Sequence, residues 1–389
     1  MSPTTSLASL VDVHPHPSRP LTSLSHNLWV PSGARGVFGG QVIAQSLLAS
    51  SSTVAPPLGL HSTHCYFLLP ARAQPTIEYR IEKLRDGKSY ASRLVRAWQG
   101  DREVFVLLAS YTLPPTKLPP NLGGGRAVVH EGESQADDGL KVSNSLRFVS
   151  SPNVKEITST SSHTKEVQQD NGFQEKYQAP LPENLLPWEE CEEEAVRWQK
   201  WMDEKGSRFT GTKRKFLQEY IRERRESPVS IARALTKDHD GNHHIRMSWL
   251  RARLDPSEKP SEETVKAMIA YMTDFQFIGT ASRSVGLHQS STPRLGMLAS
   301  LDHSIHFYPF PANFDPSKPL LHVMESQAVD VASGRGTVKG CVYTLDGVLV
   351  AVTGQEGVVR ADLRGLEAKG LVEGGAVEED EERKVKAKL

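Results

Sequence analysis

The feature that most constrains this chain is that its second half repeats the order of its first. "VFGGQVIAQSLLAS" (37–50) reads as a helix. Its apolar Val37, Phe38, Val42, Ile43, Leu47 and Leu48 are interleaved with alanines, so it can be buried on most sides, and Pro56-Pro57 ends it. Strand patterns follow over 60–69, 76–84, 89–99 and 103–113, the last two joined by a Gly100-Asp101 turn. Further on, "HHIRMSWLRARL" (243–254) alternates as a strand, and "SEETVKAMIAYMTDFQFIGTASR" (261–283) opens with a helix-start signal. Strand patterns over 296–308, 319–331, 334–345 and 348–360 come next, with Asp346-Gly347 as the closing turn. "HSTHCYF" parallels "SLDHSIHF", and "ASRLVRAWQGDREVFVLLAS" parallels "KGCVYTLDGVLVAVTGQ", with Ser110 opposite Gln355. One buried helix followed by an antiparallel meander suggests a curved sheet wrapped round the helix. Two such units imply an α+β fold from an internal duplication.

The boundaries follow from composition. Residues 1–20 read as a flexible leader and 21–115 as the first unit. Residues 116–186 are polar and rich in Pro, Gly and Ser; they bury too little apolar surface to offset ordering entropy, which predicts a flexible linker or insertion. The second unit spans 187–362, entered by a charged amphipathic helix over 187–209, and 363–389 is a charged, flexible tail.

Lys plus Arg equals Asp plus Glu at 46 each, so nothing draws the chain to a phosphate backbone, and nucleic acid is not an expected partner. No apolar run reaches the ~20 residues that span a bilayer. The opening "MSPTTSLASLVDVHPHP" lacks the charged and apolar regions of a secretory signal. Cys65, Cys191 and Cys341 are far apart and form no C-x-x-C pair, which fits a reducing compartment. The final Ala387-Lys388-Leu389 is similar to the S-K-L peroxisomal address. It predicts a peroxisomal import receptor as partner and the peroxisome as destination, or the cytoplasm if that ending is not read.

Gly39-Gly40 raises a separate question, because two glycines weaken a helix. At a helix start they let something approach the backbone closely, either another element or a ligand. His61 and His64 are three apart on a strand, as are His303 and His306, so the members of each pair point to opposite faces and a shared metal is not expected. "KDHDGNHH" (237–244) reads as a turn rather than a metal site. Arg85, Lys88, Arg93 and Arg96 read as a solvated strand face.

"VFGGQVIAQSLLAS", "HSTHCYFLLP", "LRDGKSYASRLVRAWQGD", "SLDHSIHFYPF" and "DGVLVAVTGQEGVVR" together resemble the acyl-CoA thioesterase II family, of bacterial TesB and peroxisomal acyl-CoA thioesterase type. The resemblance covers about residues 25–115 and 205–362. It implies a double hotdog, hydrolysis of fatty acyl-CoA to fatty acid and CoA without a metal or organic cofactor, and a homo-oligomer. The family's Asp, Thr or Ser, and Gln fall on Asp274, Ser300 and Gln355. Their chemistry suits the reaction: Asp274 as general base, with Ser300 and Gln355 holding the attacking water. The double glycine suggests backbone N–H groups at Gly39 and Gly40 for the oxyanion, and His61 is a further candidate to approach substrate. The first-half positions opposite the triad are Gln41, His61 and Ser110, which hold no carboxylate, so one competent site per chain is expected. Two alternatives remain. A hotdog enoyl-CoA hydratase would need an acid/base pair such as Asp302-His303, whose side chains point apart on a strand. A non-catalytic acyl-CoA-binding protein would not need the triad.

Overall fold

Two strands, β3 (Gly59–Phe67) and β10 (Asp302–Phe307), join the halves edge to edge. The structure, a computed structural model, describes residues 6–114, 185–206, 210–234, 244–289, 291–330 and 332–364. The first half contains α1 (Leu7–Val11), β1 (Val13–Pro15), β2 (Thr22–Ser25), α2 (Gly39–Ser51), β3, β4 (Glu78–Asp86), β5 (Tyr90–Gln99) and β6 (Arg102–Thr112). The second contains α3 (Glu194–Lys205), α4 (Gly211–Glu226), β7 (Val229–Arg233), β8 (Ile245–Ala252), α5 (Glu262–Thr273) and α6 (Phe277–Ser284). It continues through β9 (Arg294–Ser300), β10, β11 (Leu320–Asp330), β12 (Arg335–Tyr343) and β13 (Leu349–Asp362).

Outward from the seam the strands run β3-β6-β5-β4-β2-β1 on one side and β10-β13-β12-β11-β8-β7 on the other, all antiparallel. The repeat is therefore longer than the helix and four strands read from sequence. Each half also places two strands before its central helix. The two sheets of the double hotdog run on as one sheet, and β9 pairs with β13 off the main path.

The central helices α2 and α5 pack against each other inside this wrap. Ile43, Ala44, Leu47, Met268, Ile269 and Tyr271 are at most 1% exposed. Each large apolar side chain buried there contributes about 1.5–3 kcal/mol. Two polar residues of α2 are buried with them and bonded to the chain before the helix. Gln41 accepts from Trp29 N at 2.9 Å and donates to Asn27 O at 2.9 Å, and Gln45 donates to His26 O at 2.7 Å.

Three expectations change. The leader is folded from Ser6 onward: Leu7, Leu10 and Val11 recur at helical spacing, and Leu7 and Val11 are fully buried. The single helix expected over 261–283 breaks into α5 and α6. The entry helix over 187–209 is a 3-10 turn, Trp188–Glu190, followed by α3, and a second helix, α4, follows. Most of the linker (116–184), the turn residues 237–243 and the tail from 365, with its Ala387-Lys388-Leu389 ending, lie outside the described residues.

Candidate active site

The double glycine of α2 is explained by the end of α5. The first N–H groups of any helix lack partners within it. Here the N-cap is Phe38, which has no polar side chain to supply one. The other half does: Asp274, the C-cap residue of α5, accepts from Gly40 N at 2.8 Å through Oδ2. The helix dipole of α2 also favours negative charge at this point. Glycine is required by proximity. A Cβ on Gly40 would stand 2.6 Å from the Tyr271 carbonyl oxygen, and one on Gly39 would stand 2.9 Å from Asp274 Oδ2 and 2.9 Å from Phe67. The Gly40 N–H is thus occupied by Asp274, which corrects its assignment as an oxyanion donor.

Asp274 sits where the long helix breaks. Gln276, two residues on, has φ 63°, a left-handed conformation that costs a non-glycine residue about a kilocalorie per mole or more. It is tied down from α3: Gln276 Nε2 donates to Glu194 Oε1 at 3.1 Å and Oε2 at 3.2 Å, and Ser248 Oγ donates to Gln276 Oε1 at 3.3 Å. Continuous helical periodicity through "YMTDFQFIGT" hides this break, because only partners distant in sequence stabilise it.

The second carboxylate oxygen of Asp274 faces β13 and β10. Gln355 Nε2 donates to Asp274 Oδ1 at 2.9 Å. The same nitrogen lies 3.1 Å from His303 Nδ1, and His303 Nδ1 is 3.7 Å from Asp274 Oδ1. The Asp274 side chain is 7% exposed and that of His303 is 0% exposed. Ser300 lies opposite Gly357 in the β9–β13 ladder, two residues beyond Gln355, so the register puts Ser300 and Gln355 on one sheet face. It makes no hydrogen bond to Asp274 or Gln355. Phe38 stacks on Phe275 at 4.4 Å, Tyr271 packs edge-on at 5.0 Å from Phe38, and the Arg224 guanidinium lies 5.0 Å from the Phe275 ring, so an aromatic cluster carrying one cation flanks this helix start. A nearly buried carboxylate, oriented through both oxygens, can orient a water and take its proton.

At the other end of the helix pair, the end of α2 meets the start of α5. Glu263 accepts from Leu60 N at 3.2 Å, Ser51 Oγ at 3.2 Å and Lys266 Nζ at 3.0 Å. Tyr111 bonds Ser50 at 2.6 Å and Ser51 at 3.1 Å. The residue that corresponds to Asp274 at this end is Ser51, which corrects the pairing with Gln41. Gln41 belongs to the first turn of α2 and holds residues 27–29.

Comparison with known proteins gives the family. Residues 26–112 match the model of the acyl-CoA thioesterase N-terminal domain, and residues 182–359 match that of the acyl-CoA thioesterase C-terminal domain. The chain belongs to the acyl-CoA thioesterase family. Acyl-CoA thioesterase 2 of Haemophilus influenzae is 27% identical over 330 residues, 84% of this chain and 89% of that protein. The peroxisomal acyl-coenzyme A thioester hydrolase 1 of Saccharomyces cerevisiae is 33% identical over 87 residues, 22% of this chain and 25% of that protein. The structure of acyl-CoA thioesterase II TesB2 from Mycobacterium marinum superposes with a TM-score of 0.55 at 21% identity, covering 92% of this chain and 98% of that one. That likeness bears on the fold, which is the double hotdog.

Within this family member, the structure brings together Asp274 and Gln355 and places Ser300 on their face. It does not bring His61 to them. His61 bonds Ser110 at 2.8 Å and stacks edge-on against Tyr90 at 5.9 Å. It lies six residues along β3 from Phe67, which touches Gly39, and β3 rises ~3.3 Å per residue. His61 therefore belongs to the Glu263 end, where burial, His306 and Lys266 push its pKa down. Arg93 is no surface cation: it is 1% exposed and bonds Thr53 Oγ1 at 2.9 Å and Arg85 O at 3.0 Å. Asp302 and His303 do point apart. Asp302 accepts from Glu356 N at 2.6 Å while His303 turns inward to Gln355. Sequence reasoning expected no shared metal at His303 and gave it no part in the thioesterase site, and it missed Glu194, Gln276 and Glu263. The inward parity of His303 with Ile305 was the signal available for it.

Proposed function

We propose that this member of the acyl-CoA thioesterase family hydrolyses fatty acyl-CoA by direct attack of water, with Asp274 as general base. The observation that carries the reading is the Asp274 carboxylate, oriented on one oxygen by the α2 start and on the other by Gln355. Water attacks the thioester carbonyl carbon and gives its proton to Asp274. The tetrahedral intermediate then collapses, the C–S bond breaks, and the CoA sulfur leaves with a proton returned from Asp274. Gln355 and Ser300 hold the water, so attack starts from a fixed geometry. Gly39, the other glycine of the helix start, offers its N–H to the oxyanion. A bound, unprocessed acyl-CoA is the alternative outcome. Free-thiol detection across acyl-CoAs of graded chain length, for wild type beside Asp274→Asn, decides between them: release by the wild type alone supports the scheme, and equal release by both overturns it.

We also propose the peroxisome as destination and a homo-oligomer as the working state. The Ala387-Lys388-Leu389 ending and the peroxisomal relative from yeast support the first. Exposed Tyr66 and Leu108 on adjacent strands of the outer sheet face support the second. Removing the last three residues should leave a tagged protein in the cytosol, and light scattering should give a mass above that of one chain.

A further inference from the structure

We propose that His303 is a positioning residue that fixes which end of the Gln355 amide faces Asp274. An amide side chain is nearly symmetric in shape, so its hydrogen-bond partners decide its orientation. Nε2 carries two hydrogens; it donates to Asp274 Oδ1 at 2.9 Å and lies 3.1 Å from His303 Nδ1, which accepts when the ring proton is on Nε2. Both select the same orientation, with the NH2 group toward the carboxylate. The reverse orientation would set Oε1 against Asp274 Oδ1, acceptor against acceptor.

The second acceptor matters because Asp274 changes its protonation state during the reaction. As an ionised carboxylate it only accepts, and alone it would hold the NH2 group. Once it has taken the proton of the attacking water, its preference weakens. His303 keeps its lone pair at Nδ1 through that step, provided that the ring proton sits on Nε2. The ring is fully buried against Phe277, at 5.4 Å between centroids, and the Nε2–H of this tautomer has no hydrogen-bond partner among the described residues, so the contact with Gln355 at Nδ1 has to outweigh that unpaired donor. Burial keeps the ring away from substrate, so His303 acts through Gln355 and not as an acid or base.

The kinetic part of the proposal rests on the thioesterase reading, whereas the tautomer does not. The first measurement is the 15N spectrum of histidine-labelled protein, with the His303 signal identified by its loss in His303→Asn. An unprotonated Nδ1 with Nε2–H is expected, and a protonated Nδ1 would overturn the proposal. In kinetics, His303→Phe should lower kcat at least tenfold with KM within twofold and Tm retained. His303→Asn, whose side-chain oxygen stands near the Nδ1 position, should restore most of the rate. In a Gln355→Ala background His303→Phe should cost nothing further; an undiminished second loss would overturn the proposal, as would full kcat in His303→Phe alone. If His303→Phe does not fold, the same test is read from His303→Asn against His303→Gln, of which only the first should be fast; equal rates would count against it. Wild-type protein without CoA release would mark failure of the thioesterase reading and leave the 15N result to stand separately.

Discussion

The two ends of the central helix pair are built on one plan and do opposite things. At each end, the start of one helix meets the last turn of the other. At the Glu263 end, α5 caps itself: Ser261 accepts from Thr264 N at 3.1 Å. The carboxylate there is taken up by Leu60 N, Ser51 and Lys266, and Lys266 is itself 5% exposed. At the Asp274 end, α2 cannot cap itself, because Phe38-Gly39-Gly40 carries no polar side chain. The carboxylate comes from the other half and has no lysine or arginine bonded to it among the described residues. The Glu263 carboxylate is tied to a lysine, while the Asp274 carboxylate is held by an N–H group and an amide, the arrangement that suits the general-base role proposed for it. The duplication supplied two equivalent ends, and the residue types at the helix starts separated them.

The largest effect should come from breaking this asymmetry at its source. Asp274→Asn should lower kcat by about a thousandfold, whereas Glu263→Gln should leave kcat within about twofold and instead lower stability by about 1–3 kcal/mol through the Lys266 it leaves less well paired. Free-thiol assays and thermal melts of both proteins check the contrast, and equal kcat losses would erase it. Gln355→Ala should lower kcat by about 10–100-fold, the scale expected of a lost orienting hydrogen bond, with little change in Tm.

Gly40→Ala sharpens the comparison from the other side. The added methyl meets the Tyr271 carbonyl, so a stability loss of about 1–3 kcal/mol is expected together with reduced turnover. The equivalent Glu263→Ala should lower stability alone. Denaturant midpoints and kcat measured on the two variants separate these outcomes.

The last contrast concerns pH. His322 lies across Phe277 from His303, and burial, with His303 and Arg246 nearby, lowers its pKa to about 3. The unfolded chain protonates this group below about 6.5 while the folded one does not. Stability should therefore fall as pH drops from about 6.5 towards 3. At the other end, burial with His306 and Lys266 lowers His61 in the same direction. Denaturant midpoints over that pH range should flatten more in His322→Gln than in His61→Gln.

Much of this was legible in the residues, and the failures have a common cause. The α2 pattern, the hairpins at Gly100-Asp101 and Asp346-Gly347, and the pairing of Asp274 with Gln355 were readable because they rest on local periodicity or on family motifs. The α5–α6 break was not, since Gln276 holds its left-handed backbone through Glu194, 82 residues away in sequence. The folded N-terminal segment was passed over because Leu7, Leu10 and Val11 form a very short apolar pattern that only the paired α2 and α5 give a place to bury. Gln41 was paired with Asp274 because sequence alignment compares positions along each half, while the halves meet head to tail.

By itself, the sequence determined the duplicated helix-and-meander plan, the family and the acidic, amide and hydroxyl residues suited to thioester hydrolysis, because these depend on side-chain type and short-range order. Only the tertiary structure decided which helix start receives a carboxylate from the other half, that Gly40 spends its N–H on Asp274, and that His61 lies at the Glu263 end while His303 reaches Gln355. Those outcomes depend on strands and helices that meet across the seam between the halves, and distance along the chain carries no information about that meeting.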